Sequence, residues 1–199
     1  KALQAQINPH FLFNTLDAFN WSLQEKGEEE LAGLMVSMSR LFRYVIEPAH
    51  HDSWVTLGEE IAQVRRYLEL MEMRLGERLS WQIHMPPEAA RIPLPKLLIQ
   101  PILENAILHG VENRIGNGRV EIRITPSARL GWTKIEVVDN GPGMTQEELA
   151  AVRTALMEGS ACQSKGTGMG LVNVQRRLAL YYDSASYRTD GVLIHSAVQ

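Results

Sequence analysis

The sequence holds a single cysteine, Cys162, so no disulfide can close within the chain. That suits a reducing compartment. No Cys/His grouping has the spacing of a zinc site, and the neighbours His50 and His51 point in different directions on a helix or strand alike. Nowhere do about 18 apolar residues run together, which leaves no membrane-spanning stretch. No segment reads as a secretory signal. Neither sign of charge dominates: 20 Lys and Arg stand against 23 Asp and Glu, a net charge of −3. Such a balance gives no global electrostatic case for nucleic acid or for an anionic membrane. The basic pairs Arg65-Arg66 and Arg176-Arg177 fall in helical patterns and read as solvated helix faces. Low-complexity runs and internal repeats are absent.

What remains is the composition of a globular protein, 45% hydrophobic and 22% charged over 199 residues. That length allows one large domain or two small ones. The first six residues already follow a helical pattern, so the chain is expected to be part of something longer.

Leu3, Ile7, Phe11, Leu16 and Phe19 recur near a helical period, predicting a helix over 1–24. Pro9 interrupts it. It removes one backbone hydrogen bond and leaves the carbonyl of Ala5 without its donor, so the helix is expected to kink or loosen just before His10. Gly27 breaks the pattern. Glu28, Glu29 and Glu30 favour a new helix N-terminus, and Leu31, Leu34, Met35, Met38, Leu41, Phe42 and Val45 form its stripe. Pro48 ends it. Two striped helices in about 50 residues cannot bury their own apolar faces, so this hairpin is predicted to dimerise into a four-helix bundle.

The pattern changes near residue 50, which divides the chain into a helical hairpin (1–50) and an α/β domain (51–199). Residues 50–53 read as a linker. Thr56 and Glu59 form a capping box ahead of a helix striped by Leu57, Ile61, Val64, Leu68, Met71 and Leu75, with Gly76 as its stop. Ser80 to Met85 alternates like a strand. Pro93 and Pro95 precede a nearly all-apolar helix predicted over Lys96 to Val111. Val120 to Ile124 and Trp132 to Val138 read as a β-hairpin. A helix follows over Thr145 to Glu158, then a loose polar stretch from Gly159 to Lys165, a helix over Leu171 to Tyr181, and two short strands near 185–188 and 192–197.

Three groups in the second domain stand out. Glu104 and Asn105 interrupt the apolar helix, where polar groups are costly unless paired. They satisfy a neighbouring segment or form a hard-cation site, in which an Asn oxygen complements phosphates and water on Mg²⁺. His109 lies one turn on from Asn105. Asp139-Asn140-Gly141-Pro142-Gly143 follows a strand and reads as a tight turn. It also suits an Asp that accepts from an exocyclic amine such as adenine's, with glycines admitting a flat base. Gly166-Thr167-Gly168-Met169-Gly170 opens a helix and offers backbone N–H groups to an anion. It lacks the Lys-Ser/Thr of a Walker loop and the preceding strand of a dinucleotide fingerprint. The polar stretch before it suits a lid.

The order of these groups resembles the nucleotide-binding fold shared by histidine kinases, gyrase-type ATPases, the heat-shock chaperone of that class and the mismatch-repair ATPase. Upstream, Asn8-Pro9-His10-Phe11-Leu12-Phe13-Asn14 resembles the phosphoacceptor segment of LytS/YehU-type sensor histidine kinases. Gln100-Pro101-Ile102-Leu103-Glu104-Asn105-Ala106-Ile107-Leu108-His109-Gly110 resembles the Asn motif of the same subfamily. The resemblance implies an α+β protein: a dimeric helical hairpin followed by an α/β two-layer sandwich. It implies ATP and Mg²⁺ as cofactors, His10 as the phosphorylated imidazole and Asn105 as the Mg²⁺ ligand. Asp139 would read adenine between Gly141 and Gly143. Gly166, Thr167, Gly168, Gly170 and Leu171 would edge the phosphates beside His109. The implied partners are a second copy of the chain and a response-regulator receiver domain, with no nucleic acid and no membrane contact by this segment. The implied place is the cytoplasmic side of a membrane-bound sensor.

Two departures from the family pattern bear on the site. Leu108 stands where a basic residue is common, and Phe11 follows His10 where many relatives have an acid. Glu104 is the candidate for the group that polarises His10, and Asn14, one turn after His10, is the candidate for positioning. Two rival readings share the nucleotide pocket: a gyrase-class ATPase, against which the His10 hairpin argues, and an ATP-binding signalling scaffold without phosphohistidine.

Overall fold

A computed structural model of the chain describes residues 9–46, 54–112, 114–127, 131–158, 169–182 and 191–196. Helix α1 (Pro9–Glu25) begins at the proline, whose fixed φ suits a first helical position. The break expected ahead of His10 involves residues outside the described ones. A turn follows in which Gly27 takes φ 72°, and α2 (Glu29–Ile46) runs back along α1 with Glu29 and Glu30 in its first turn. Leu16 and Ala32 are buried in this hairpin. The expected linker, with Pro48, lies outside the described residues.

The second region opens with a three-residue strand, β1 (Trp54–Thr56), leading directly into α3 (Leu57–Leu75). The capping box is present. Thr56 Oγ1 accepts from the backbone N–H of Glu59, and the Glu59 carboxyl accepts from Thr56 N at 2.8 Å. Gly76, at φ 58°, ends the helix. Leu57, Ile61, Val64 and Leu68 face inward, as their spacing predicts.

Strand β2 (Leu79–His84) pairs in parallel with β4 (Gly118–Ser127), and β4 pairs antiparallel with β5 (Trp132–Asp139). Val120, Ile122 and Ile124 alternate into the core and meet the apolar faces of α3 and of the helix that carries Asn105. One face of the sheet is thus covered by helices, the two-layer arrangement the sequence implied. Helices α5 (Gln146–Glu158) and α6 (Met169–Tyr182) share a smaller core of Val152, Ala155, Leu156, Leu171 and Val172.

Three expectations are corrected. Pro93 and Pro95 form a short strand, β3 (Pro93–Pro95), antiparallel to β1, rather than a simple lead-in. The helix expected from Lys96 starts later: α4 spans Gln100–Asn105 and then widens into a π-helical turn, Ala106–Val111. Leu97 takes φ 63°, which no right-handed helix allows, so the helix cannot begin before it. Residues 191–196 form no strand. Side chains take up their backbone groups instead: Val192 N donates to Gln175 Oε1 at 2.7 Å, and Ile194 O accepts from Arg153 at 2.8 Å. The strand expected near 185–188 and the polar stretch 159–165 lie outside the described residues. No described helix is long and apolar enough to cross a membrane.

Candidate functional site

The site is built around the α4–π segment. Asn105 closes the α-helical part and His109 sits in the π turn. Asn105 Nδ2 and His109 Nε2 are both buried, and neither has a hydrogen-bond partner among the described residues. A buried polar group left without a partner costs about 1–3 kcal/mol, and two so close in sequence mark a surface shaped for a polar ligand. The start of α6 rests on the same surface. A Cβ added at Gly170 would lie 3.4 Å from Asn105 Nδ2 and 3.7 Å from Pro101 Cβ. Glycine there lets the first turn of α6 approach the Asn105 amide closely.

The end of this segment meets the turn after β5. A Cβ on Gly110 would fall 2.8 Å from the Cβ of Asp139 and overlap its carboxyl group. Gly141 faces the backbone of Gly110 equally closely. Asp139 Oδ1 accepts from Gly141 N at 2.9 Å. Its other oxygen makes no hydrogen bond to the described residues, and Asp139 is exposed, open to a donor from a ligand. Asn140 locks the turn from behind. Its N donates to Arg119 O at 3.2 Å, its Oδ1 accepts from Arg119 N at 2.6 Å, and its carbonyl accepts from Arg114. Gly143, at φ 78°, bends the chain away toward α5.

Residues 1–79 match the family model described as histidine kinase, and residues 91–192 match that of the histidine kinase-, DNA gyrase B-, and HSP90-like ATPases. The second match alone covers more than half of the chain. The chain belongs to the sensor histidine kinase family. Among curated relatives of this chain, the sensor histidine kinase YesM of Bacillus subtilis is 34% identical over 98% of the chain. The sensor histidine kinase YpdA of Escherichia coli is 34% identical over 92%, and the sensor protein LytS of Enterococcus faecalis is 32% identical over 92%. The chain spans about 30% of the length of each. A solved histidine kinase domain from the Erythrobacter litoralis EL346 blue-light activated kinase aligns over 79% of this chain and 72% of its own, with TM-score 0.42 and 15% identity.

The structure brings together Asn105, His109, Asp139, Gly141 and Gly170. It places His10 and Asn14 on α1, which packs on α2. The His10 side chain, with Gly166, Thr167 and Gly168, lies outside the described residues. Asn14 is exposed and lines an open groove with Thr15, Ala18, Phe19 and Ser22. Leu171 is buried in the α5–α6 core beside Val172. Glu104 was expected on a buried helix face but is exposed. It follows Leu103, which is fully buried, and is turned about 100° from Asn105 by the helix. Its Oε1 accepts from Gln100 Nε2 at 3.1 Å. It also lies beside Tyr67, whose phenol is pushed up to about 12 by burial first and by the Glu104 charge second.

Sequence reasoning passed over Gly110 and Asn140 as site residues. A glycine at the end of an apolar helix, where another backbone must come close, was the available signal for the first. The second was hidden because Asn-Gly reads as a turn on its own.

Proposed function

We propose that this chain is the ATP-dependent catalytic core of a two-component sensor kinase. It phosphorylates its own His10 from ATP and passes the phosphoryl group to an aspartate on a response-regulator receiver domain. The observation that carries this reading is the pair of orphaned buried nitrogens, Asn105 Nδ2 and His109 Nε2, under the N-terminus of α6. Two nitrogens unpartnered among the described residues suit phosphate oxygens, and Asp139 is packed against the same segment at Gly110.

The donor set also fits Mg²⁺. Among the described residues no cluster of three His, Cys, Asp or Glu exists. Mg²⁺ needs none, because it keeps several waters and takes one or two protein oxygens with substrate phosphates. Asn105 Oδ1 is the ligand this chain offers. When bound, the ion neutralises charge on the phosphates. The protein's share is then positioning. Asp139 accepts from the adenine amine, and Gly141 gives the ring room. His109 and Asn105 hold phosphate oxygens. The unprotonated nitrogen of His10 attacks the γ-phosphorus in line, the bond to the β-phosphate oxygen breaks, and ADP leaves. A neutral imidazole is available near pH 7 because its ordinary pKa is about 6.5. Asn14, one turn after His10, positions water or phosphoryl oxygens.

A second copy of the chain completes the unit. Phe19 on α1 is 57% exposed in the single chain, and a four-helix bundle would cover such a side chain. The full-length protein is read as membrane-attached with this core on the cytoplasmic side. Incubation with γ-labelled ATP and Mg²⁺ tests the reading. Acid-labile, base-stable label on the wild type and none on His10→Gln is expected. Label persisting on His10→Gln refutes the site, and no label on either favours a nucleotide-binding scaffold.

A further inference from the structure

One carboxyl group in the core has no part in the chemistry above. Glu60, on α3, is fully buried, and no local sequence feature accounts for it. Its Oε2 accepts from Leu97 N and its Oε1 from Ile99 N, both at 3.1 Å. Ile99 stands at the N-cap of α4 and makes no side-chain cap of its own, while Pro101 at the start of the helix has no N–H to offer. Glu60 therefore caps α4 from another helix, taking the place of a local Ser or Asp.

The same contact governs an unusual backbone. Leu97 takes φ 63°, the only non-glycine residue among the described ones with positive φ. A leucine leaves that region unless its surroundings hold it there. The bond from Leu97 N to Glu60 is such a restraint. Eight residues later on the same segment comes Asn105.

We propose that Glu60 is a positioning residue of the nucleotide site, holding the entry to α4 so that Asn105 and His109 face the first turn of α6. The proposal rests on the nucleotide-site reading for its ligand but not for its geometry. Because α3 packs on α2, Glu60 also links the helix nearest the hairpin to the phosphate-facing helix.

The substitution Glu60→Gln keeps the shape of the side chain but turns an amide NH₂ toward one of the two backbone N–H groups, so a donor faces a donor. Loss of one such buried bond is expected to weaken ADP binding in the presence of Mg²⁺ by about tenfold. Adding Leu97→Gly, which adopts a positive φ unaided, should restore ADP affinity to within about threefold of wild type. A merely stabilising residue would show no such specific rescue. In parallel, the side-chain amide resonance of Asn105 is followed by NMR without nucleotide. It should shift in Glu60→Gln and return in the double variant. If Glu60→Gln does not fold alone, the double variant carries the test: native affinity and a native Asn105 resonance support the proposal. A folded variant with unchanged Asn105 resonance and unchanged affinity overturns it, as does a double variant that stays weak and shifted. A wild-type chain that binds no ADP refutes the nucleotide reading, and the resonance then still decides the role of Glu60.

Discussion

A methyl group on Gly141 would overlap the Cα of Gly110 and come within 2.8 Å of Asp139 Oδ1. Gly110 lies near the end of the segment that carries Asn105 and His109, and Gly141 belongs to the turn that carries Asp139. Backbone packed on backbone thus joins the two halves of the proposed nucleotide site into one rigid piece. Neither glycine has a positive φ, so close approach, not conformational freedom, is what excludes a side chain at both.

Gly141→Ala is expected to weaken ADP binding by about tenfold or more, since overpacking against backbone costs about 1–3 kcal/mol and the neighbour cannot swing away. Gly110→Ala should do the same by pushing on the Asp139 carboxyl group. Gly33→Ala on α2 is the contrast. Nothing lies within 4 Å of its added Cβ, so stability should rise by about 0.5–1 kcal/mol with ADP affinity unchanged. Calorimetric titration and urea unfolding measure both effects. Wild-type affinity in Gly141→Ala would sever the link between the two halves.

Asp139→Asn keeps an oxygen for the Gly141 N–H but replaces the outward acceptor with a donor. A hydrogen bond to a charged group is worth about 1.5–3 kcal/mol, so ADP affinity should fall about 10- to 100-fold. Preference for adenine over guanine nucleotides should fall with it. Competition between ATP and GTP for the variant measures the change. An Asp139→Asn variant that still discriminates would move base recognition elsewhere.

Where contacts are local, the sequence foretold them. The stripe Leu57, Ile61, Val64 and Leu68, the Thr56–Glu59 box and the β4–β5 hairpin all follow from spacing within a few residues. Asn105 and Asp139 stood out because polar groups on an apolar helix or at a strand end are conspicuous. Long-range partners left no such trace. Glu60 meets Leu97 and Ile99 nearly forty positions on, and its own segment shows only one more glutamate in an acidic pair. The β1–β3 pairing escaped because two of the three residues in β3 are prolines, which composition assigns to loops. Glu104 misled because an apolar stretch suggested burial on every face, whereas the helix turns that residue outward.

Thr56→Ala removes the hydroxyl that accepts from Glu59 N and donates to the Glu59 carboxyl, and should cost about 1 kcal/mol in urea unfolding near pH 7. The cost should depend on pH. Backbone and side-chain hydrogen bonds from Thr56 hold the Glu59 carboxyl below its ordinary 4.5. A carboxyl with a lowered folded pKa stabilises the protein above its unfolded value and loses that contribution as pH falls through the folded one. The gap between wild type and Thr56→Ala should therefore narrow below pH 4.5. A gap that stays constant into acid would mean that the Thr56 hydroxyl does not donate to the Glu59 carboxyl.

Tyr67 offers a test of where Glu104 sits. Burial, then the Glu104 charge, push the phenol from 10.0 up to about 12; Arg74 opposes this and Glu112 adds to it. An acid with a raised folded pKa keeps its proton in the native state after the unfolded chain has lost it. Its contribution to stability is full below pH 10 and disappears as pH rises toward about 12. Ultraviolet titration of tyrosinate should show one late-ionising group in the wild type that is missing in Tyr67→Phe. Glu104→Gln should bring that ionisation down toward 10, because the second cause is gone while burial remains. If Glu104 instead turns inward toward Asn105 and His10, Glu104→Gln will leave Tyr67 where it was and will reduce His10 phosphorylation. The two readouts thus separate a carboxylate seated between α3 and α4 from one that acts on the imidazole.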